Sequence, residues 1–381
     1  MADLLWERYR DQFPVTKNLV YLNHAAVAPL SRRVAEAMQG LAQDALEFGS
    51  EHYAQWLAAY EGLRSAAARM IHATPAEIAI VKNTSEGIAT VAIGLDWKPG
   101  DVVVAFEEEF PANSYPWRRL EARGVQVRRL SVFDDLERID QAAKGARLLT
   151  ISYVQYLSGY RVDLDKIGEI CRRRGCFFFV DAIQGLGAFP VDVRSSNIDA
   201  LAADGHKWLL GPEGCGILYV RREVQDQIEP VEFGWTNVAK FADYASRDMS
   251  LRQDAGRYEC GTLNTIGCFG LRAAFELLLE AGIDNVSVAV QALADRVWQG
   301  AGALGFETLG RRSAETGAGI VCIRKPGVES QLIVRKLREA GFIVAPRQGW
   351  VRIAPHFYIA PAEIDALLDE LRLERVGRIG S

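Results

Sequence analysis

Four segments of the chain combine residue types that would do chemistry together. Lys207 lies in Asp204-Gly205-His206-Lys207-Trp208-Leu209-Leu210-Gly211-Pro212-Glu213-Gly214-Cys215-Gly216, a glycine-crowded stretch between two apolar runs. A lysine amine brought close to backbone by such a loop is a nucleophile for a carbonyl carbon, although most lysines are solvated surface groups. Asp181 ends the run Cys176-Phe177-Phe178-Phe179-Val180. A carboxylate there can face the crevice of an α/β sheet, or merely begin a turn. Asn83-Thr84-Ser85-Glu86-Gly87 joins a strand-like run to a helix-like one. Its free N–H groups, hydroxyls and helix dipole make a phosphate cup, and in any case an N-cap. Arg352, in Val351-Arg352-Ile353-Ala354-Pro355-His356, can hold a carboxylate bidentately, with an internal ion pair as an equal alternative.

Together these groups meet the needs of a lysine-bound aldehyde cofactor with a pyridine ring and a phosphate. Such a cofactor needs an amine for the imine and a carboxylate to keep the ring nitrogen protonated as an electron sink. It also needs donors for the phosphate, a flat side chain over the ring, and a cation for a substrate carboxylate.

The elements that must position them alternate over the first two-thirds of the chain. Helical periodicity appears at 33–48, 56–71, 86–93, 115–123, 136–144 and 164–174, with strand-like runs at 78–81, 102–104, 125–130, 148–151 and 177–180. This predicts a mostly parallel sheet sandwiched by helices. Arg172 to Arg174 read as the solvated side of their helix. After Gly261 the pattern becomes a smaller α+β unit, with helices at 266–281, 286–304, 331–339 and 361–373 and strands at 306–309, 319–324, 343–345 and 351–353. The expected division is 17–265 for a large α/β domain and 266–381 with 1–16 for the smaller one. Gly300-Ala301-Gly302-Ala303-Leu304-Gly305 fits G-x-G-x-x-G, but it ends a helix and leads into a strand, so it reads as a helix stop.

Composition narrows the class. The chain has 381 residues, 44 Lys+Arg against 49 Asp+Glu, 49% apolar and 24% charged residues. That is globular composition without the basic excess of a nucleic-acid binder. No apolar stretch approaches the roughly 20 residues of a membrane span, and the N-terminus does not read as a signal peptide. The six cysteines are scattered with no C-x-x-C pair, and the five histidines form no ligand cluster. Reduced thiols, a cytoplasmic protein and no metal are expected.

The segments Val180-Asp181-Ala182-Ile183-Gln184, Gly205-His206-Lys207, Asn83-Thr84-Ser85-Glu86-Gly87 and Tyr258-Glu259-Cys260-Gly261-Thr262-Leu263-Asn264 occur here in a telling order. In this the chain resembles the class V, fold-type I pyridoxal-phosphate enzymes: cysteine desulfurases, selenocysteine lyases, isopenicillin N epimerases and kynureninases. The resemblance runs from about Tyr21 to the C-terminus. It implies pyridoxal 5'-phosphate as cofactor, Lys207 forming the internal aldimine, Asp181 on the pyridine nitrogen and Gln184 on the ring hydroxyl. Thr84, Ser85 and His206 would hold the phosphate, and Thr262 would reach the phosphate of a neighbouring subunit in a homodimer with shared sites. Arg352 would bind the substrate α-carboxylate, with His24 and Arg161 nearby; for His24 a capping or packing role is an equal alternative.

Several positions depart from the desulfurase pattern. Glu109-Phe110-Pro111-Ala112-Asn113 offers Phe110 where a histidine covers the ring. Asp204 stands where relatives place a phosphate-binding serine, a role a carboxylate would oppose. Either Gln155 or Tyr156 falls where an asparagine touches the ring oxygen. No cysteine occurs in 331–350, the neighbourhood of a desulfurase's persulfide-forming residue, and Cys322 reads as core. The expected function is therefore a class V aminotransferase acting on an amino acid. The alternatives are a carbon–sulfur or carbon–selenium lyase, an epimerase, or a binding or assembly protein on the same fold.

Overall fold

The computed structural model describes residues 5–373. α1 (Leu5–Tyr9), β1 (Val20–Tyr21), α2 (Arg32–Phe48) and α3 (Tyr53–Ile71) come first. There follow β2 (Ile78–Val81), α4 (Thr84–Gly94), β3 (Val102–Phe106), α5 (Tyr115–Arg119), β4 (Gln126–Leu130) and α6 (Leu136–Ala143). β5 (Leu148–Ser152), α7 (Leu164–Arg174), β6 (Phe177–Asp181), β7 (Ala200–Asp204) and β8 (Gly216–Val220) complete the large sheet. The last third holds α8 (Thr265–Ala281), α9 (Ile283–Ala303), β9 (Glu307–Thr308), β10 (Val321–Arg324) and α10 (Ser330–Glu339). It ends with β11 (Phe342–Ile343), β12 (Ala345–Arg347), β13 (Trp350–Ile353) and α11 (Pro361–Leu373).

The large sheet has seven strands in the order β2-β8-β7-β6-β5-β3-β4. The run from β7 to β4 is parallel, and β8 is antiparallel to both its neighbours. Central strands covered on both faces must be apolar throughout, and β5 to β8 are buried at every position. β8 reverses because no crossover helix separates it from β7; the intervening loop, which carries Lys207, is too short for a parallel return. A second, four-stranded antiparallel sheet runs β12-β13-β10-β9.

Two elements lie across the expected domain division. β1 pairs in parallel with β11, Val20 opposite Phe342 and Tyr21 opposite Ile343. α8 packs on α2 and α3. The described N-terminal segment thus ties the last third to the first, and one core cluster runs through both.

Local boundaries shift for identifiable reasons. The helix expected over 115–123 ends at Arg119 and continues as a 3-10 turn to Arg123, stopped by Gly124 at φ 80°. The strand expected over 343–345 is two strands, because β11 pairs with β1 and β12 with β13. Arg173 and Arg174 are not simply solvated: they donate to Asp140 of α6 at 2.7 and 2.9 Å. The glycine run closes α9, which ends at Ala303, with Gly305 at φ 76°.

Candidate active site

β5, β6 and β7 run parallel, so Ser152, Asp181 and Asp204 share the carboxyl edge of the sheet, where open α/β sheets hold ligands. Ser152 stands directly opposite Asp181. Asp181 is buried, and its Oδ1 accepts the Ile183 N–H at 3.1 Å. Burial pushes its carboxyl up to about 6, against the opposing pull of Ile183 N–H and the Lys207 charge. Its Oδ2 accepts no hydrogen bond among the described residues, which leaves it available to a protonated ring nitrogen.

Lys207 follows β7 in a cross-braced loop. Gly205 N–H donates to Cys215 O at 2.9 Å, Gly211 N–H to Gly205 O at 2.8 Å, and Leu210 N–H to Lys207 O at 3.0 Å. Leu210 has φ 60°. A branched residue in that region costs roughly 1–2 kcal/mol, so the packing around the loop holds it there. Burial lowers the Lys207 ammonium to about 8; Arg352 and Arg347 act in the same direction, Asp181 and Asp204 against it. An amine of that kind is still mostly protonated near neutral pH, but its neutral fraction is far larger than an ordinary lysine's, which makes it competent as a nucleophile or base.

Asn83 caps α4, its Oδ1 accepting Glu86 N–H at 2.9 Å. Ser85 is exposed at that helix start and Thr84 is buried behind it. Gly87 brings the helix against the sheet: a Cβ there would meet Ala202 Cβ at 2.7 Å. Thr84 Oγ1 accepts the Asp204 N–H at 2.9 Å and keeps its own proton to donate. Asp204 Oδ1 accepts Gly205 N–H at 2.7 Å. Its Oδ2 lies 3.0 Å from His206 Nδ1, close as an ion pair but off the line of a hydrogen bond. Asp204 thus holds Thr84 through its backbone N–H, while its unassigned carboxylate holds Gly205 and faces His206.

Phe110 is half exposed, with its ring centroid 5.8 Å from Lys207 Nζ and Tyr156 edge-on at 5.3 Å. The Tyr156 carbonyl accepts Arg352 Nη1–H at 3.0 Å, and the Tyr156 hydroxyl accepts Gln348 Nε2–H at 2.7 Å. Arg352 is buried and its Nε has no partner. Burial first and Arg347 second lower its guanidinium to about 10.

Two expected contacts are corrected and a third is narrowed. His24 is fully buried; Nδ1 donates to Ala354 O at 2.7 Å and Nε2 accepts from Tyr358 Oη at 2.6 Å, so no ring nitrogen is left for a substrate. Arg161 stacks on Phe189 and donates to Ala314 O at 2.9 Å. It lines a separate cleft of about 1220 Å³ whose walls include neither Lys207 nor Asp181. Gln184 donates from Nε2 to Ala25 O at 3.0 Å and accepts Trp208 Nε1–H at 2.9 Å, so only its second amide proton remains for a ring hydroxyl. Thr262 is exposed and makes no hydrogen bond within the described chain.

Glu109 escaped the sequence reading. It is buried, accepts Ser152 N–H at 2.7 Å and Gln155 Nε2–H at 3.1 Å, and also bonds the Ser152 hydroxyl. Burial pushes its carboxyl up to about 7, the nearby Asp181 charge adding to the effect. Nothing local marks it except its place beside Phe110. Cys322 lies opposite Arg352 in the β10–β13 register, fully buried, with burial pushing its thiol up to about 12.

The free Asp181 Oδ2, the weakened Lys207 ammonium, the exposed Ser85 at a helix start and the open face of Phe110 fit a pyridoxal-phosphate group. The aminotransferase class-V family model matches residues 20–350. A probable cysteine desulfurase of Pyrococcus abyssi is 30% identical, covering 96% of this chain and 96% of its own. An uncharacterised aminotransferase of Bacillus subtilis, YcbU, is 29% identical over 97% and 98% respectively. Among solved structures, the apo cysteine desulfurase of Thermococcus onnurineus superposes with TM-score 0.89 at 27% identity, over 96% and 97% of the two chains. The cystine C–S lyase C-DES, in complex with its product cysteine persulfide, gives TM-score 0.87 at 25% identity over 95% and 99%. With the family model spanning most of its length and the site intact, this chain belongs to the class V aminotransferase family of pyridoxal-phosphate enzymes.

Proposed function

We propose that the protein is an aminotransferase of α-amino acids, with Arg352 holding the α-carboxylate and Lys207 moving the α-proton. The observation that carries this reading is the Arg352 guanidinium: buried, bonded to one backbone carbonyl, with an unpartnered Nε and no ion pair among the described residues. A desolvated cation left in that state favours an anionic ligand. Bound pyridoxal phosphate supplies the electron sink that labilises bonds at Cα. Asp181 would pair with the ring nitrogen and keep it protonated, Phe110 would cover the ring, and Ser85, Thr84 and His206 would hold the phosphate. Arg352 grips the carboxylate by its fork and so sets which bond at Cα stands toward the lysine. Phe110 has no proton to give or take, which leaves proton transfer on the ring-facing side to Lys207 Nζ.

A second reading, a C–S lyase, is supported by the likeness to C-DES and to desulfurases. In that reading sulfur leaves with the product and is not held on an enzyme cysteine. Five of the six cysteines are buried, and Cys260 faces Glu232 at 3.4 Å. A panel of amino acids on cofactor-loaded enzyme separates the readings. Keto acid formed with stoichiometric amine transfer to an added keto acid supports the aminotransferase. Keto acid with released sulfide or persulfide from cysteine or cystine supports the lyase. An inverted enantiomer without keto acid overturns both.

We also infer a homodimer. Leu46, Phe48, Phe233, Trp235 and Met249 are exposed apolar side chains, and Thr262 is free to face a neighbour. Sedimentation at one subunit mass would overturn this. The free thiols suit a reducing cytoplasm. No described helix is long and apolar enough to cross a membrane.

A further inference from the structure

A second arginine shares the opening in which Arg352 waits. In the β12–β13 hairpin, Ala345 pairs with Arg352 and Arg347 with Trp350. Side chains alternate along a strand, so Arg347 and Arg352 lie on one face as diagonal neighbours. The turn between them is Gln348 at φ 48° and Gly349 at φ 82°, a two-residue connection that holds the strands in fixed register. Gln348 anchors that turn to the Tyr156 hydroxyl, and Tyr156 in turn abuts Phe110 and receives Arg352. The hairpin therefore sets Arg347 beside Arg352 on the side of the site where Tyr156 and Phe110 meet Lys207. Burial is the main cause of the lowered Lys207 ammonium, and both arginine charges add to it.

Neither arginine has a protein anion. The one described bond of Arg347 runs from Nη1 to the Pro346 carbonyl at 2.8 Å, and no ion pair is formed by Arg347 or Arg352 among the described residues. Asp204 is held by Gly205 N–H beside the His206 ring and Glu109 by Ser152 and Gln155, while Asp181, whose Oδ2 is left for the cofactor ring, makes no ion pair with either arginine. A substrate with only an α-carboxylate would answer one guanidinium and leave the other facing a like charge. We propose that Arg347 is a specificity-determining residue that selects amino acids whose side chain carries a second anionic group, a carboxylate or a sulfinate. This rests on the reading of Arg352 as the α-carboxylate site.

The test is calorimetric binding of amine-free analogues to full-length, cofactor-loaded enzyme, which reads affinity without turnover. Succinate and 3-sulfinopropionate carry two anionic groups, and butyrate carries one. At least one of the two dianions should bind about tenfold or more tightly than butyrate, as one charge-assisted contact implies. In R347Q that ratio should fall to about one, and R347K should recover part of it. Equal affinities in the wild type, or a preference that survives in R347Q, would overturn the proposal. R352K should weaken butyrate and dianions alike. If butyrate binding is unchanged in R352K, the α-carboxylate reading fails first and this inference goes with it. A normal R352K response with an unchanged ratio in R347Q condemns the Arg347 proposal alone.

Discussion

Asp204 and His206 face each other across 3.0 Å, Oδ2 to Nδ1, on the loop that leads into Lys207. The carboxylate does not meet a phosphate: its Oδ1 is taken by Gly205 N–H and its own N–H goes to Thr84 Oγ1. A position that opposes phosphate by charge thereby serves it by placing two donors. Asp204→Asn keeps the shape and an acceptor for Gly205 but removes the charge behind His206. Affinity for pyridoxal phosphate, measured by equilibrium dialysis, should fall about tenfold, the scale of one charge-assisted contact. Unchanged affinity would confine Asp204 to loop structure.

Lys207 is the second test. Borohydride treatment of the loaded enzyme should fix the cofactor to the tryptic peptide that contains Lys207. Lys207→Ala should abolish turnover while phosphate contacts still retain cofactor. Label recovered on any other lysine would remove the basis of the mechanism.

Glu109 predicts a pH dependence of stability in the cofactor-free protein. Its folded carboxyl titrates at about 7 against an ordinary 4.5, so the folded state binds the extra proton between those values. Its contribution to stability is present below about pH 4.5 and is lost as pH rises through 7. Glu109→Gln removes that loss, on the order of 3 kcal/mol at most by linkage. Asp181, raised to about 6, retains a slope of the same sign. Urea melts at pH 5 and 7.5 should show a shallower decline in the variant, and parallel declines would mean that Glu109 is ionised throughout.

Glu259 anchors the segment that presents Thr262. Its carboxylate, buried with Arg64, receives Arg64 Nη2–H at 2.8 Å and Ile80 N–H at 2.7 Å, and a second arm of Arg64 as well. Removing one partner of a buried pair strands the other charge, which costs roughly 3–5 kcal/mol. Glu259→Ala should lose about that much in chemical denaturation, and the Arg64→Met, Glu259→Leu double variant should recover much of it. A single variant within ~0.5 kcal/mol of wild type would show the pair to be dispensable.

The thiols give the last prediction. With Cys322 pushed up to about 12 by burial, the cysteine nearest Arg352 is a neutral thiol and a poor sulfur acceptor. Mass spectrometry of enzyme turned over with cysteine should show no sulfane sulfur that chases into product. A persulfide on any of the six cysteines that turnover requires would place the enzyme with the desulfurases.

Much of the scaffold could be read from local pattern, because the physics involved is local. Phe177-Phe178-Phe179-Val180 is apolar at every position, as a strand covered on both faces must be. Asn83 announces a helix start by its capping chemistry, and it does accept the expected N–H. Lys207, Asp181 and Arg352 could likewise be named from order and neighbours: Asp181 ends an apolar run, Arg352 sits within one, and Lys207 lies in the glycine-crowded stretch between two.

Partnership was decided by tertiary structure alone. His24 and Arg161 carry residue types suited to a substrate, yet the fold satisfies His24 with Ala354 and Tyr358 and turns Arg161 into another cleft. Glu109 becomes a buried, weakened acid only because β5 brings Ser152 to it from 43 residues away. Arg347 gains meaning from the hairpin register that sets it diagonal to Arg352, and from Tyr156, 192 residues from Gln348, that anchors the turn. A side chain's type follows from the sequence; its charge state and its free hydrogen-bonding capacity depend on what the fold packs against it, because burial and long-range partners shift both by several kcal/mol.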